Sequence, residues 1–359
     1  MSNQTPRLEI YPHRIETNAR LVIDQCHSHA VQVACVTKVV RAHPAVLHAF
    51  ESSGADMVAD SRLLNLQSIA RAGTRLPCLL LRLPTPSQAI DAVRSADYSL
   101  NSSLETVELL SQAAGLLKRI HKVILMVDLG DLREGIWPDR LVTVLRQAAH
   151  FPNIEIVGIG ANLACFGGVI PTSENMNRLV ELRNACREDT GLPLDLISGG
   201  NSANLPLLAS GGMPREINHL RIGEAIILGR NVIDRSPWPG TRQDTARVVA
   251  EVLEIERKPS VPVGPRGQDA FGCQGEIVDR GIRKRALCNI GRQDVLIDGV
   301  APEDPGIIVL GGSSDHLVLD VEEAESEIKV GDEIAFYPSY GALLAASTSP
   351  YVQKVIRWG

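Results

Sequence analysis

Between about residue 13 and residue 235 the chain repeats one pattern eight times, a segment with helical spacing of its apolar positions leading into a short apolar, β-branched run. The runs occupy residues 33–38, 55–59, 78–81, 98–100, 123–127, 154–159, 194–197 and 220–222. Short continuous apolar runs are what parallel strands covered by helices on their faces require. Several linkers carry helix-start chemistry. Asn101-Ser102-Ser103 precedes Leu104-Glu105, and Thr172-Ser173 precedes Glu174, so side-chain oxygens stand where first-turn N–H groups need acceptors. Eight such units predict a closed (β/α)8 TIM barrel. An open doubly wound sheet is the alternative, and no G-x-G-x-x-G opens the first unit to support it.

The alternation stops at Asp234-Arg235-Ser236-Pro237-Trp238-Pro239-Gly240, where two prolines and a glycine interrupt it. Residues 11–235 are therefore assigned to the barrel and 241–359 to a smaller C-terminal β domain. That tail carries short alternating runs at 246–255, 285–290, 307–310, 317–321 and 333–336. The strand-like Arg7-Leu8-Glu9-Ile10 allows residues 1–10 to add a strand to it. A length of 359 residues, 44% hydrophobic and 22% charged, suffices for two such bodies. No stretch approaches a membrane span, and residues 1–7 lack the charged start and apolar core of a signal peptide, so the expected location is the cytoplasm. Cys26, Cys35, Cys78, Cys165, Cys186, Cys273 and Cys288 stand singly, without a C-x-x-C pair, and read as free thiols rather than a disulfide framework or a metal site. A formal charge of −6 without a long basic run argues against nucleic acid and leaves a small metabolite as the partner.

In a barrel of this kind the chemistry sits at the C-terminal ends of the strands. The polar residues there are coherent. Lys38 closes the first run, Asp60-Ser61-Arg62 follows the second, Asp128-Leu129-Gly130-Asp131-Leu132-Arg133 the fifth, and Asn162 and Cys165 the sixth. Ser198-Gly199-Gly200-Asn201-Ser202 follows the seventh and Arg221-Ile222-Gly223-Glu224 belongs to the eighth. A lysine drawn from water into a partly apolar pocket has its charged form penalised, which frees the amine to form a Schiff base. A lysine at a strand end can equally be a snorkelling surface group, and Gly-rich turns are common. Taken together, a Schiff-base lysine, backbone donors after the seventh and eighth runs that could cradle a phosphate, and an arginine between them point to pyridoxal 5'-phosphate.

Several separated motifs extend this reading over nearly the whole chain: V-T-K-V at 36–39, D-S-R at 60–62, S-G-G-N-S-A at 198–203, L-R-I-G-E at 220–224, G-I-R-K-R-A at 281–286, G-R-Q-D-V at 291–295, S-S-D-H at 313–316 and Y-G-A-L-L at 340–344. With them the chain resembles the fold type III pyridoxal-phosphate enzymes typified by alanine racemase, and within that group the ornithine racemase type. The resemblance implies that Lys38 holds the cofactor and then serves as one of two proton-transfer bases at Cα. It implies that Arg221 faces the pyridine nitrogen, that Ser202, Gly223 and the backbone at Glu224 bind the phosphate, and that Tyr340 reaches it from the C-terminal domain. Arg133 would position the substrate carboxylate or the cofactor phenolate. Ser314 and Asp315 fall where substrate-carboxylate contacts come from the second copy of a homodimer. A permanently protonated arginine cannot hand the ring nitrogen a proton, which suits simple proton return over decarboxylation.

The chain also departs from the family. The turn that carries the second catalytic tyrosine in alanine racemases reads Gly291-Arg292-Gln293-Asp294. The opposite-face acid is then one of Asp294, Cys288, Tyr340 or Tyr351, with Asp294 favoured by position. Asn162 stands where a histidine often follows the sixth strand, and no tyrosine follows Lys38 in Val39-Val40-Arg41-Ala42-His43. These losses turn the expectation from alanine toward a basic amino acid such as ornithine, whose distal ammonium could meet Asp294, Asp315 or Glu224. The leading expectation is an amino-acid racemase. A decarboxylase of the same fold, with Cys288 or Tyr340 as proton donor, and a non-catalytic pyridoxal-phosphate carrier are the alternatives. His43 and His316, near motif ends, and Trp137, Trp238 and Trp358 read as structural.

Overall fold

The computed structural model describes residues 4–272 and 278–358, so Cys273 lies outside the described residues. After strand β1 (Arg7–Ile10), eight parallel strands close on themselves: β2 (Gln32–Val36), β3 (Met57–Asp60), β4 (Cys78–Leu80), β5 (Tyr98–Asn101), β6 (His121–Val127), β7 (Ile154–Ala161), β8 (Leu196–Gly200) and β9 (His219–Ile222). Closure comes from β9 on β2, where Ala34 lies beside Arg221 and Cys35 beside Ile222. The helices between the strands are α1 (Pro12–His27), α2 (Pro44–Ser52), α3 (Leu63–Ala72), α4 (Ala89–Ser95), α5 (Leu104–Leu116), α6 (Leu141–Ala148), α7 (Ser173–Thr190), α8 (Leu205–Ala209) and α9 (Glu224–Ile227). Ser103 caps α5 by accepting from the Thr106 N–H, and Thr172 forms a capping box with Asn175 at the start of α7.

Alternation along each strand decides which side chains fill the barrel and which meet the helices. Ala34, Met57, Ala59, Leu79, Leu100, Ile124 and Met126 cluster inside. Val123, Leu125 and Val127 turn outward against Leu141, Leu145, Leu179 and Leu182 of α6 and α7. Burying each such leucine contributes roughly 1.5–3 kcal/mol relative to leaving it in water.

The barrel unit comprises Pro12–Gln243. Its end lies beyond the proline-rich stretch, because that stretch is packed rather than extended. The Asn18 side chain of α1 donates to the Ile226 and Arg242 carbonyls and accepts from the Arg242 N–H, and the Trp238 indole donates to Gln25.

The second unit, Met1–Tyr11 with Asp244–Gly359, is built on β10 (Ala246–Pro259), β11 (Ile282–Cys288), β12 (Val300–Pro302), β13 (Ile308–Gly312), β14 (Leu317–Asp320) and β15 (Glu333–Pro338), followed by helix α10 (Tyr340–Thr348) and strand β16 (Gln353–Ile356). The sheet order is β12-β15-β10-β11-β14-β13, and the N-terminal β1 pairs antiparallel with β10 and parallel with β16. Charge holds this edge together: Arg7 pairs with Glu9 and Glu333, and Arg357 donates to Glu9.

Candidate active site

Lys38 opens a single 3-10 turn directly after β2 and is half-buried. Its neighbour Thr37 is fully buried and donates through Oγ1 to Asp60 Oδ2 at 2.7 Å. The other oxygen of Asp60 accepts from the Arg62 N–H at 2.9 Å and from Asn65 at 3.0 Å. Burial pushes the Asp60 carboxyl above the usual aspartate value, while Thr37, Asn65 and the Arg62 and Ser61 N–H groups pull the other way. One carboxylate therefore ties the loop after β3 to the residue preceding the lysine.

At the ends of β8 and β9 the backbone forms a set of donors. Ser202 Oγ accepts from the Gly223 and Ala225 N–H groups, both at 3.3 Å, which leaves its own proton to give. Gly200 has φ +148°, a conformation open to glycine, and an added Cβ would lie 2.2 Å from Asn204 Oδ1. Gly223 brings its chain close to β2, where an added Cβ would meet the Val36 Cβ at 3.1 Å. Glu224 is 9% exposed and paired with Arg235. Burial raises its carboxyl above the usual range, opposed by Arg235, Arg230 and Lys38, so the strand-end lysine lies within electrostatic reach of it.

Arg221 is held inside the barrel. Its guanidinium donates to Ser198 Oγ, to the Ala161 carbonyl at 2.7 Å and to Asn162 Oδ1 at 3.4 Å. Burial brings it down to about 10, with Glu134 opposing and Arg133 adding, so it stays protonated at neutral pH. Asn201 bridges the β7 and β8 loops by donating to Asn162 and to the Leu163 carbonyl. The Nδ2 atom of Asn162 is buried without a protein acceptor among the described residues.

The loop after β6 is clamped by its own acids. Asp128 accepts from the Gly130 and Leu132 N–H groups. Asp131, 2% exposed, accepts from the N–H groups of Cys165, Phe166 and Val169 and so fixes the loop after β7. Arg133 is paired through two nitrogens with Glu134 and donates to Cys165 Sγ at 2.9 Å.

In the β unit, Ser314 and Asp315 sit exposed at the tip between β13 and β14. Asp315 accepts from Gln293 at 2.6 Å and from Ser314 at 2.6 Å, which brings the 291–294 turn and the 313–316 turn into one rim. Tyr340 is the half-buried first residue of α10, and Tyr351 is exposed. Asp294 is different from the expectation. It is 4% exposed, with Oδ1 accepting from Ser349 at 2.9 Å and Oδ2 from the Gly291 N–H at 3.4 Å, an arrangement that suits a turn clamp rather than a proton carrier. Cys288 is wholly buried, and burial pushes its thiol up to about 12, which makes it a poor acid or base near neutrality. His43 caps α2 by accepting from the Ala45 N–H, and His316 closes a surface turn with Ser313.

A cavity of about 790 Å³ lies at the opposite, N-terminal end of the barrel, among Gln32, Met57, Tyr98, Glu155, Leu196 and Asn218, and contains none of these groups. At the C-terminal end, the Ser202 hydroxyl with its two backbone donors, an amine, a buried guanidinium and the unused Asn162 amide are a donor set that fits a phosphorylated aromatic aldehyde.

Residues 10–231 match the family described as the alanine racemase N-terminal domain. The chain belongs to the alanine racemase family. Members of this family are pyridoxal-phosphate enzymes, and the chain is accordingly an isomerase of the racemase class. It is 40% identical over 350 residues to a lysine racemase of Thermotoga maritima, covering 98% of each chain. It is 39% identical over 350 residues to an ornithine racemase of Acetoanaerobium sticklandii, covering 97% of this chain and 99% of the relative. The alanine racemase structure from Clostridium difficile 630 superposes with a TM-score of 0.72 at 18% identity, over 100% of this chain and 97% of that one, which shows the fold. Among the described residues no helix is long and apolar enough to cross a membrane.

Against that family background, Glu134 and His219 support the site without having been named in the sequence, and Asp131, Ser198 and Asn201, which lie in the strand-end stretches collected there, support it in ways those stretches did not specify. Glu134 acts on the adjacent Arg133, whereas the other four act on residues more than 20 positions away, which no local motif reports. His219 alone left a signal: two residues before Arg221 on a strand, it must share that arginine's face.

Proposed function

We propose that this chain interconverts the L and D forms of a basic amino acid such as ornithine, with pyridoxal 5'-phosphate as cofactor. The observation that carries the reading is the match of nearly the full chain, at about 40% identity, to a lysine racemase and an ornithine racemase. The geometry supports it. Lys38, held by the Thr37–Asp60 clamp, would attach the cofactor and, once released, take or return the proton at Cα on one face. Ser202 with the Gly223 and Ala225 N–H groups, beside Glu224, would bind the phosphate, Tyr340 adding to it. Arg221 is assigned to the ring nitrogen and Arg133 to the substrate carboxylate or the cofactor phenolate. When bound, the cofactor supplies an electron sink that acidifies Cα–H. Arg221 stays charged and withholds a proton from the ring, which limits that sink and favours proton return over loss of carbon dioxide.

The reading extends to a homodimer in which a second copy contributes Ser314 and Asp315. Asp315 is the carboxylate assigned to the distal ammonium, since it stands exposed on the rim whereas Asp294 is buried in its own turn. With Asp294 and Cys288 set aside on burial, the opposite-face proton is assigned to a tyrosine of the β unit, Tyr340 or Tyr351, and Tyr340→Phe and Tyr351→Phe separate the two.

The purified protein is expected to show the visible absorbance of Schiff-base pyridoxal phosphate, lost in Lys38→Ala. Incubation in deuterium oxide with L-ornithine, L-lysine, L-arginine, L-alanine and L-serine in turn should give Cα deuteration with loss of optical activity for ornithine or lysine. Carbon dioxide release would mark a decarboxylase. No reaction with any of the five would mark a cofactor carrier.

A further inference from the structure

A line of hydrogen-bonded side chains lies inside the barrel beside Arg221, and the function proposed above gives two of its members, Ser198 and His219, no role. His219 and Arg221 lie two residues apart on β9, so both point to the barrel interior, and Ser198 of β8 stands beside His219 in the ladder. His219 Nδ1 and Ser198 Oγ are 2.7 Å apart, and the Arg221 guanidinium donates to the same oxygen. All three are at least 96% buried by exposure. His219 Nε2 has no protein partner among the described residues, so Ser198 is the one side chain that engages this imidazole there.

We propose that Ser198 and His219 are positioning residues for Arg221: the imidazole fixes the serine hydroxyl, and the hydroxyl fixes the plane of the guanidinium. The inference rests on the reading that Arg221 meets the cofactor ring nitrogen, and deepens it. A buried hydroxyl free to rotate could aim its proton at the guanidinium, two donors face to face. Nδ1 of His219 draws that proton away, so the oxygen presents lone pairs to Arg221. This requires a neutral imidazole with its proton on Nε2, and burial, reinforced by the Arg221 charge, holds His219 neutral down to about 3. The Ala161 carbonyl and Asn162 then fix the other end of the fork, so the remaining N–H groups of Arg221 meet a ligand in one orientation.

The test uses the holoenzyme saturated with pyridoxal phosphate, so that weaker cofactor binding is separated from misplacement. Ser198→Ala and His219→Leu should shift the visible band of the bound cofactor and lower kcat about tenfold, with KM changed by less than about threefold. His219→Asn, which can place an oxygen where Nδ1 accepted, should restore the wild-type band and most of the rate. Ser198→Ala with an unaltered spectrum and kcat, in a protein whose far-ultraviolet circular dichroism matches wild type, overturns the proposal. Should His219→Leu fail to fold, Ser198→Ala decides alone. A wild-type protein with no visible band would instead remove the cofactor reading, and this inference with it.

Discussion

His121 and His219 are both 0% exposed, and burial holds their imidazoles neutral down to about 4 and about 3. Arg119 adds to the effect at His121 and Asp97 opposes it, and Arg221 adds at His219. In the unfolded chain an imidazole titrates near 6.5. As pH falls from 7 to 5 the unfolded state takes up a proton at each histidine and the native state does not, so stability present above 6.5 is lost progressively toward the folded values. Linkage puts the loss at about 1.8 kcal/mol per histidine over this interval. Other groups titrate in the same range or below it. Asp60 and Glu224, raised by burial, work in the opposite sense, and Glu9, held low by Arg357 and Arg7 against its burial, works in the same sense. A difference measurement removes them. His121→Gln keeps a side-chain amide near Ser99 Oγ, which His121 Nε2 approaches at 2.7 Å, but cannot titrate. Urea unfolding of both holoproteins at pH 7 and pH 5, at fixed protein and cofactor concentration, should show wild type losing about 2 kcal/mol more than the variant. Because His121 opens β6 at the end of the barrel away from Lys38, kcat at pH 7 should not change. Equal losses in the two proteins would refute the buried, neutral imidazole.

Asp60→Asn leaves one acceptor oxygen for three donors, so at least one meets an amide, costing about 1–3 kcal/mol by denaturation and raising the apparent Kd for pyridoxal phosphate through the Thr37–Lys38 link. Asp294→Asn should cost about 1–2 kcal/mol of β-unit stability while racemisation keeps a kcat within about threefold of wild type, and abolished racemisation with intact folding would restore Asp294 as the second base. Glu134→Gln removes the acidic partner of a partly exposed arginine, so stability should move by less than about 1 kcal/mol while KM for the amino acid changes several-fold, read from initial rates.

The eight barrel strands were legible because most of their residues are buried on both faces, and such runs read as short continuous apolar stretches, as in residues 123–127 of β6. Strands β12 and β16 and helix α10 were not. Val300–Pro302 is three residues long, Gln353–Ile356 is a half-exposed edge, and Tyr340–Thr348 is apolar almost all round, so none carries a clear period. The proline-rich stretch read as a linker because Pro and Gly mark chain reversal, not whether the reversal is packed, and its contacts come from α1, more than 200 residues away. Lys38, Ser202 and Arg221 stood out as strand-end polar residues. Asp294 was equally conspicuous, yet its position in a turn does not report which way the carboxylate points, and here it points into its own unit.

A buried guanidinium argues for a role beyond architecture. Taking Arg221 out of water costs several kcal/mol, and an apolar side chain of similar volume generally fills such a place at no loss of stability. Among the described residues no carboxylate is hydrogen-bonded to it. Its acceptors are a serine hydroxyl, a backbone carbonyl and an amide oxygen, supplied by β8, the end of β7 and the loop beyond it. A neutral shell of this kind leaves the positive charge inside the barrel without a directly bonded counter-ion, Glu134 opposing it only at a distance. A charge held in this way is costly for a scaffold and suits the proposed role of Arg221, meeting a ring nitrogen without protonating it. The same reasoning accounts for a neutral His219 behind it: a second cation would repel Arg221, and a carboxylate in its place would neutralise the charge on which the proposed electronic effect depends. Serine backed by an uncharged imidazole orients the guanidinium and changes nothing else about it.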